Sequence, residues 1–376
     1  MKSAAPVRVL HVCAGNLYGG VERIVAECAA DRALCPGMSA SFAVCFEGRL
    51  AEEIDETGAS CARLGDAAMS RPWTILRARR RLASLLRGGP PSMVICHSSW
   101  VFGIAAPVVR KAGGGLVLWL HNRVSGVSWP ERWAGRTRPD LIIANSRFTG
   151  ESVTALYPGA KHAVLYAPVR AGGVDGDRAR VRASLGADDQ TPVILVASRF
   201  ETGKGHRSLI DAVAQIAEPW QLWIAGEAQR AEEAAYVRDV RDLAQASGVG
   251  DRVRFLGERR DVEACMRAAD IHCQANTSPE SFGLTFVEAL YAGLPIVTTA
   301  IGGALEILND ACGVLVPAGD VPALRGALRR LIVDPEARQR LGDSGPSRAR
   351  ELCDPSRQLA ALAALVGAIH TGEVAA

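Results

Sequence analysis

The chain has 376 residues, enough for two domains that each bury a core of their own. With 48% hydrophobic and 22% charged residues it is neither disordered nor fibrous, and a net charge of only +3 gives no ground for a nucleic-acid partner. No run approaches the roughly 18 apolar residues of a membrane span, and Met1–Val7 lacks an apolar signal region, so any membrane contact is expected to be peripheral. Ten cysteines are scattered without Cys-x-x-Cys spacing, which predicts buried, reduced thiols and a cytoplasmic protein.

Short apolar runs alternate with longer amphipathic stretches along the whole chain, the pattern of parallel-sheet α/β architecture. The first predicted strand, Val7–Val12, runs into a loop containing Gly15, Gly19 and Gly20, which leads to a helix over Glu22–Leu34. Such glycines let a loop approach a ligand at a helix start, but the G-x-G-x-x-G spacing of a dinucleotide fingerprint is absent. Glu47, after a strand over Ser41–Phe46, is by itself too weak a ribose signal. Arg71–Arg87 is basic and amphipathic, with Trp73, Leu76, Leu82 and Leu86 expected to face inward and arginines outward. It suits either a solvated outer helix or one resting on anionic lipid.

Further strands are predicted at Met93–His97, Leu116–His121, Leu141–Asn145 and His162–Tyr166, with a helix over Arg147–Leu156. His97 and His121 therefore close strands, whereas His11 lies inside one and is expected to be a satisfied core residue. Pro and Gly in Ala167–Asp177 mark a linker. Asp175-Gly-Asp177 imitates an Asp-x-Asp metal motif, but without an apolar strand before it the segment is expected to be a turn. The domains are expected at 1–172 and 191–354, joined by 173–190, with 355–376 crossing back to the first.

The alternation restarts with strands at Pro192–Ala197, Gln221–Ala225, Val253–Leu256, Ile271–Gln274, Leu294–Thr298 and Gly313–Val316. Arg199 and Lys204 follow the first of these, where their charges can neutralise a diphosphate; His206 beside them is ambiguous. After Gln274 comes a polar loop carrying Glu280, then a helix expected to start at about Phe282, with Ser281 a candidate cap. The amides of Gly283, Leu284 and Thr285 at that start form a ready anion site. Glu288 lies roughly 7.5 Å further along the helix than Gly283, so one carboxylate can meet a sugar and the other a ribose on opposite sides of a diphosphate.

Taken together, Glu280-x7-Glu288, Ser-Arg199-x4-Lys204-Gly and Ala-Gly-Leu-Pro295 resemble glycosyltransferase family 4 over nearly the whole chain. The resemblance implies the GT-B fold, two Rossmann-like domains facing across a cleft, and a retaining, metal-independent transfer from a UDP- or GDP-sugar. It implies that Glu280 and the Phe282–Thr285 backbone hold sugar and diphosphate, Glu288 the ribose, and Arg199 and Lys204 the phosphates. Gly257 resembles the base-contacting loop, Gly19 and Gly20 the glycine pair facing the donor, and His121 the histidine near the reacting carbon. No bound metal or cofactor is expected, and the acceptor is a saccharide or lipid-linked hydroxyl. A nucleotide-sugar epimerase of the same fold stays open as an alternative, while an NAD-linked oxidoreductase is disfavoured by the failed glycine spacing and a catalytically dead module by the complete charged set.

Overall fold

The computed structural model describes residues 6–89, 91–173 and 178–371. Among these, the residues up to Arg170 together with those from Cys353 onward form one compact unit, and those between Ala171 and Leu352 form a second. The sheet of the first unit contains β1 (Val7–Cys13), β2 (Met38–Val44), β3 (Cys61–Arg63), β4 (Met93–Cys96), β5 (Gly115–Leu120), β6 (Leu141–Ala144) and β7 (Ala163–Val164), in the order β3-β2-β1-β4-β5-β6-β7. The second sheet contains β8 (Val193–Ala197), β9 (Gln221–Ala225), β10 (Val253–Gly257), β11 (Ile271–Gln274), β12 (Ile296–Thr299) and β13 (Gly313–Val316), in the order β10-β9-β8-β11-β12-β13.

Strand pairing is parallel throughout both sheets. Helices cover both faces of such sheets, so central strands are apolar without alternation. Val193–Ala197, wholly buried, and Met93–Cys96 show this. Each sheet has its own core, built around Leu118, Val94 and Phe102 in the first unit and around Ile194, Ile224 and Leu328 in the second. In each, the strand order reverses beside the first strand: between β1 and β4, and between β8 and β11. Connections leave in opposite directions there, opening a crevice at the carboxyl ends of the strands.

Three expectations are corrected. The linker predicted over 173–190 contains the helix Arg178–Ser184, because buried Arg182 ties it to the second unit through the carbonyls of Ala268, Asp188 and Thr191 and the carboxylate of Asp270. In the helix Pro72–Arg87 the buried stripe is Thr74, Ile75, Ala78, Leu82 and Leu86; Trp73 and Leu76 are 64% and 53% exposed, on the outer face. β3 was missed because three residues without an apolar run leave no periodic signal. Asp175-Gly-Asp177 lies outside the described residues.

The helix Pro355–Thr371 packs on the first unit, where the Leu359 carbonyl accepts from the Cys35 thiol and the Cys353 carbonyl from the Val169 amide. None of the ten cysteines is bonded to another, and nine are buried. Among the described residues no helix is long and apolar enough to cross a membrane.

Candidate active site

In the second unit the loops after β8 and β11 meet beside the strand-order reversal. After β8 the chain makes one 3₁₀ turn, Thr202–Lys204, and Gly205 takes φ +73°. A Cβ on Gly205 would fall 1.6 Å from the Ala275 carbonyl oxygen, so only glycine lets this loop lie on the end of β11. The Gly203 carbonyl also accepts from the amides of Thr277 (2.9 Å) and Ser278 (3.2 Å).

This seating brings Lys204 Nζ to 2.5 Å from Glu280 Oε2, although the two residues are 76 positions apart. The same carboxylate oxygen accepts from Gln274 Nε2 at 3.1 Å. Gln274 Nε2 also donates to Asn276 Oδ1 (2.9 Å), and Thr285 Oγ1 donates to Gln274 Oε1 (3.4 Å). Lys204, Glu280 and Thr285 are therefore joined through Gln274, which is not among the expected site residues. Its available signal was an amide at the carboxyl end of a buried strand. The Glu280 backbone is pinned as well, its carbonyl accepting from the Gly303 amide at 2.7 Å.

The helix expected from Phe282 begins instead at Leu284. Gly283 precedes it at φ +104°, a left-handed conformation incompatible with a helical turn, and a Cβ there would lie 2.4 Å from the Phe286 ring. Phe282 is consequently a buried loop residue, and Ser281 lies too far upstream to cap the helix. Leu284 and Thr285 open the helix, so their amides lie outside its internal bonding.

Arg199 takes different partners. It pairs with Glu201 and reaches within 3.8 Å of buried Glu233, itself unforeseen, on the helix Ala231–Ala246. Glu288 is partly exposed on the helix Leu284–Tyr291. Gly257 ends β10 at φ +68°, its carbonyl accepting from the Gly226 amide at 2.8 Å. His206 stacks on Phe200 at 4.6 Å with Nε2 3.2 Å from Ser198 Oγ; burial, aided by the Lys204 charge, pushes its pKa down to about 4. It is a neutral core residue beneath the loop.

In the first unit a cavity of about 270 Å³ opens at the ends of β1, β4 and β5, lined by residues including Ala14, Glu22, His97, His121 and Glu131. Val21 and Glu22 reach it, rather than Gly19 and Gly20. The Gly19 amide donates to Glu22 Oε2 at 3.1 Å, closing the turn that starts the helix Gly20–Ala30.

Three stacked imidazoles end at this cavity. His11 Nδ1 lies 2.9 Å from His97 Nε2, and His97 Nδ1 lies 3.0 Å from His121 Nε2. Burial pushes His11 down to about 4 and His121 to about 3, and burial together with its two neighbours lowers His97 as well, so all three rings are neutral. A neutral imidazole donates from one nitrogen and accepts at the other, so the three share one direction. Among the described residues His11 Nε2, fully buried, and His121 Nδ1, beside the cavity, have no partner, so His11 is not the satisfied core residue expected. An orphaned N–H is costlier than an orphaned acceptor, which places the donor proton on His121 Nδ1 rather than deep in the core.

Two family profiles match. "Glycosyltransferase Family 4" covers residues 18–171 and "Glycosyl transferases group 1" covers 177–348. A GDP-mannose-dependent monoacylated alpha-(1-6)-phosphatidylinositol monomannoside mannosyltransferase of Corynebacterium glutamicum is 34% identical over 272 residues, 65% of this chain and 69% of that protein. A phosphatidyl-myo-inositol mannosyltransferase of Mycobacterium leprae is 35% identical over 164 residues, 42% of this chain. That match spans only 41% of the mycobacterial protein's length. Among solved structures, Anabaena Alr3699/HepE in complex with UDP-glucose has a TM-score of 0.82 at 22% identity, covering 96% of this chain and 99% of its own. That likeness is one of fold, the two Rossmann-like domains of the GT-B type.

Proposed function

This chain belongs to glycosyltransferase family 4, and from that premise we propose that it moves a hexose-type sugar from a nucleoside-diphosphate sugar to a hydroxyl acceptor. The anomeric configuration is retained and no metal takes part. The observation that carries this reading is the Lys204–Glu280–Gln274–Thr285 network beside the start of the helix Leu284–Tyr291. A cation and uncapped amides there suit a diphosphate, and a carboxylate beside them suits sugar hydroxyls.

As the bond between the anomeric carbon and the β-phosphate oxygen breaks, negative charge grows on that oxygen. Lys204, Arg199 and the helix amides stabilise it, work a divalent ion would otherwise do. The acceptor oxygen bonds to the anomeric carbon from the face the phosphate leaves, and its proton passes to the departing phosphate oxygen. Glu280 orients the sugar, Glu288 the ribose and Gly257 the base, while His121 supplies a hydrogen bond near the reacting carbon. The donor is a UDP- or GDP-sugar. The Corynebacterium relative is named as GDP-mannose-dependent and the Anabaena neighbour holds UDP-glucose, which supports that choice. A saccharide or a lipid-linked hydroxyl is the acceptor.

Incubation with UDP- and GDP-sugars, a panel of hydroxyl acceptors and excess chelator tests this reading. NMR of the product should show the sugar on the acceptor with its donor configuration kept. Inversion, strict dependence on added Mn²⁺ or Mg²⁺, or a changed sugar still on the nucleotide would contradict it.

A further inference from the structure

The outward turn of Trp73 and Leu76 is part of a larger surface. Of the ten large hydrophobic residues exposed among those described, six lie in two short segments of the first unit: Met69, Trp73, Leu76 and Leu85 in one, Val127 and Trp129 in the other. The segments meet in space. Met69 lines a cavity of about 600 Å³ with Trp129, Arg132, Trp133 and Arg136, and the Arg79 guanidinium lies 5.4 Å from the Trp133 ring centre. This cavity is separate in composition from the histidine-lined one; the helix Trp129–Ala134 gives Pro130 and Glu131 to that cavity and Trp129, Arg132 and Trp133 to this one.

Arginines dominate the charge on this surface. Residues 69–89 include six arginines and no Asp or Glu. Glu131, on the same helix as Trp129, accepts from Ser125 Oγ at 2.8 Å and the Ser128 amide at 3.2 Å. Among the described residues Arg132 and Arg136 have no carboxylate within ion-pair distance. Both are exposed.

We propose that this face docks on an anionic lipid bilayer, with a lipid phosphate seated in the cavity between Arg132 and Arg136. Indole rings, a thioether and two leucines standing in water amid guanidinium groups suit the interface of a charged membrane, where rings enter the headgroup layer and arginines meet phosphates. A soluble polyanion would use the arginines but leave the exposed Trp73, Leu76 and Trp129 unexplained. The inference goes beyond sugar transfer and does not rest on it, since membrane binding is measured without any donor.

The test is co-sedimentation of the full chain with vesicles of phosphatidylglycerol and phosphatidylcholine, set against vesicles of phosphatidylcholine alone. Binding to the anionic vesicles only is expected. Arg132→Gln with Arg136→Gln should weaken it roughly thirtyfold, since each arginine near the surface contributes on the order of a fivefold factor. Trp73→Ala with Leu76→Ser should weaken it while leaving circular dichroism unchanged, both side chains being exposed. Glycerol 3-phosphate at millimolar concentration should not displace the vesicles. Equal binding to both vesicle types, binding to neither, or full displacement by glycerol 3-phosphate would overturn the proposal.

Discussion

His97 touches three aromatic rings, His11, Trp119 and His121, and hydrogen bonds to two of them. Replacing it by Phe keeps a flat ring in the stack but removes both hydrogen bonds, freeing the orientation and tautomer of His121. We expect His97→Phe to lower kcat by roughly ten- to a hundredfold with little change in KM, the signature of a misplaced group rather than lost binding. Steady-state kinetics check this, and a change confined to KM would count against it. The same burial makes stability depend on pH. His11, His206 and His272 titrate at about 4 and His121 at about 3 in the folded chain, all depressed by burial from the ordinary value of 6.5. The unfolded chain therefore takes up protons first as pH falls below 6.5, and the folded state loses stability between about 6.5 and 4. Urea midpoints should be lower at pH 5 than at pH 7.5 and nearly level from 7.5 to 8. His121 at a strand end was legible in the sequence. The chain of rings behind it was not, because His11, His97 and His121 are brought together only by strand order.

At the scale of the element, glycines decide where the loops can lie. Gly205→Ala combines left-handed strain with a collision against the Ala275 carbonyl, and should cost about 2–5 kcal/mol. Gly113 has a similar φ of +75° but nothing within 4 Å of a Cβ, so Gly113→Ala should cost only the strain, about 1–2 kcal/mol. Denaturant titration of the pair separates the two terms, and equal losses would contradict the close seating of the Lys204 loop. Wholly apolar strands such as Val193–Ala197 were plain in the sequence because a strand buried on both faces carries no polar positions. The helix Pro72–Arg87 was misjudged because its apolar residues form two stripes, and periodicity does not say which stripe meets the sheet. The two-residue error at Leu284 arose from reading Gly283 as a helical position, when its left-handed φ makes it the boundary.

At the scale of the whole molecule, each unit carries a complete parallel sheet and a site at its own strand-order reversal. The last helix, Pro355–Thr371, belongs by packing to the first unit although it follows the second in sequence. Truncation after Asp354 should therefore speed amide exchange in β1 and β2 while leaving β8 and β11 protected, and loss of protection in the second sheet would contradict that assignment. The central claim is that a diphosphate binds where Lys204 meets Glu280. Calorimetric titration of UDP, GDP and the corresponding nucleosides into the wild-type chain and Lys204→Ala, in excess chelator, tests it most directly. One diphosphate should bind the wild-type chain and lose at least about tenfold in affinity with Lys204→Ala, the loss of one charge-assisted contact, while its nucleoside binds both proteins alike. Equal diphosphate affinity in the two proteins would contradict the account.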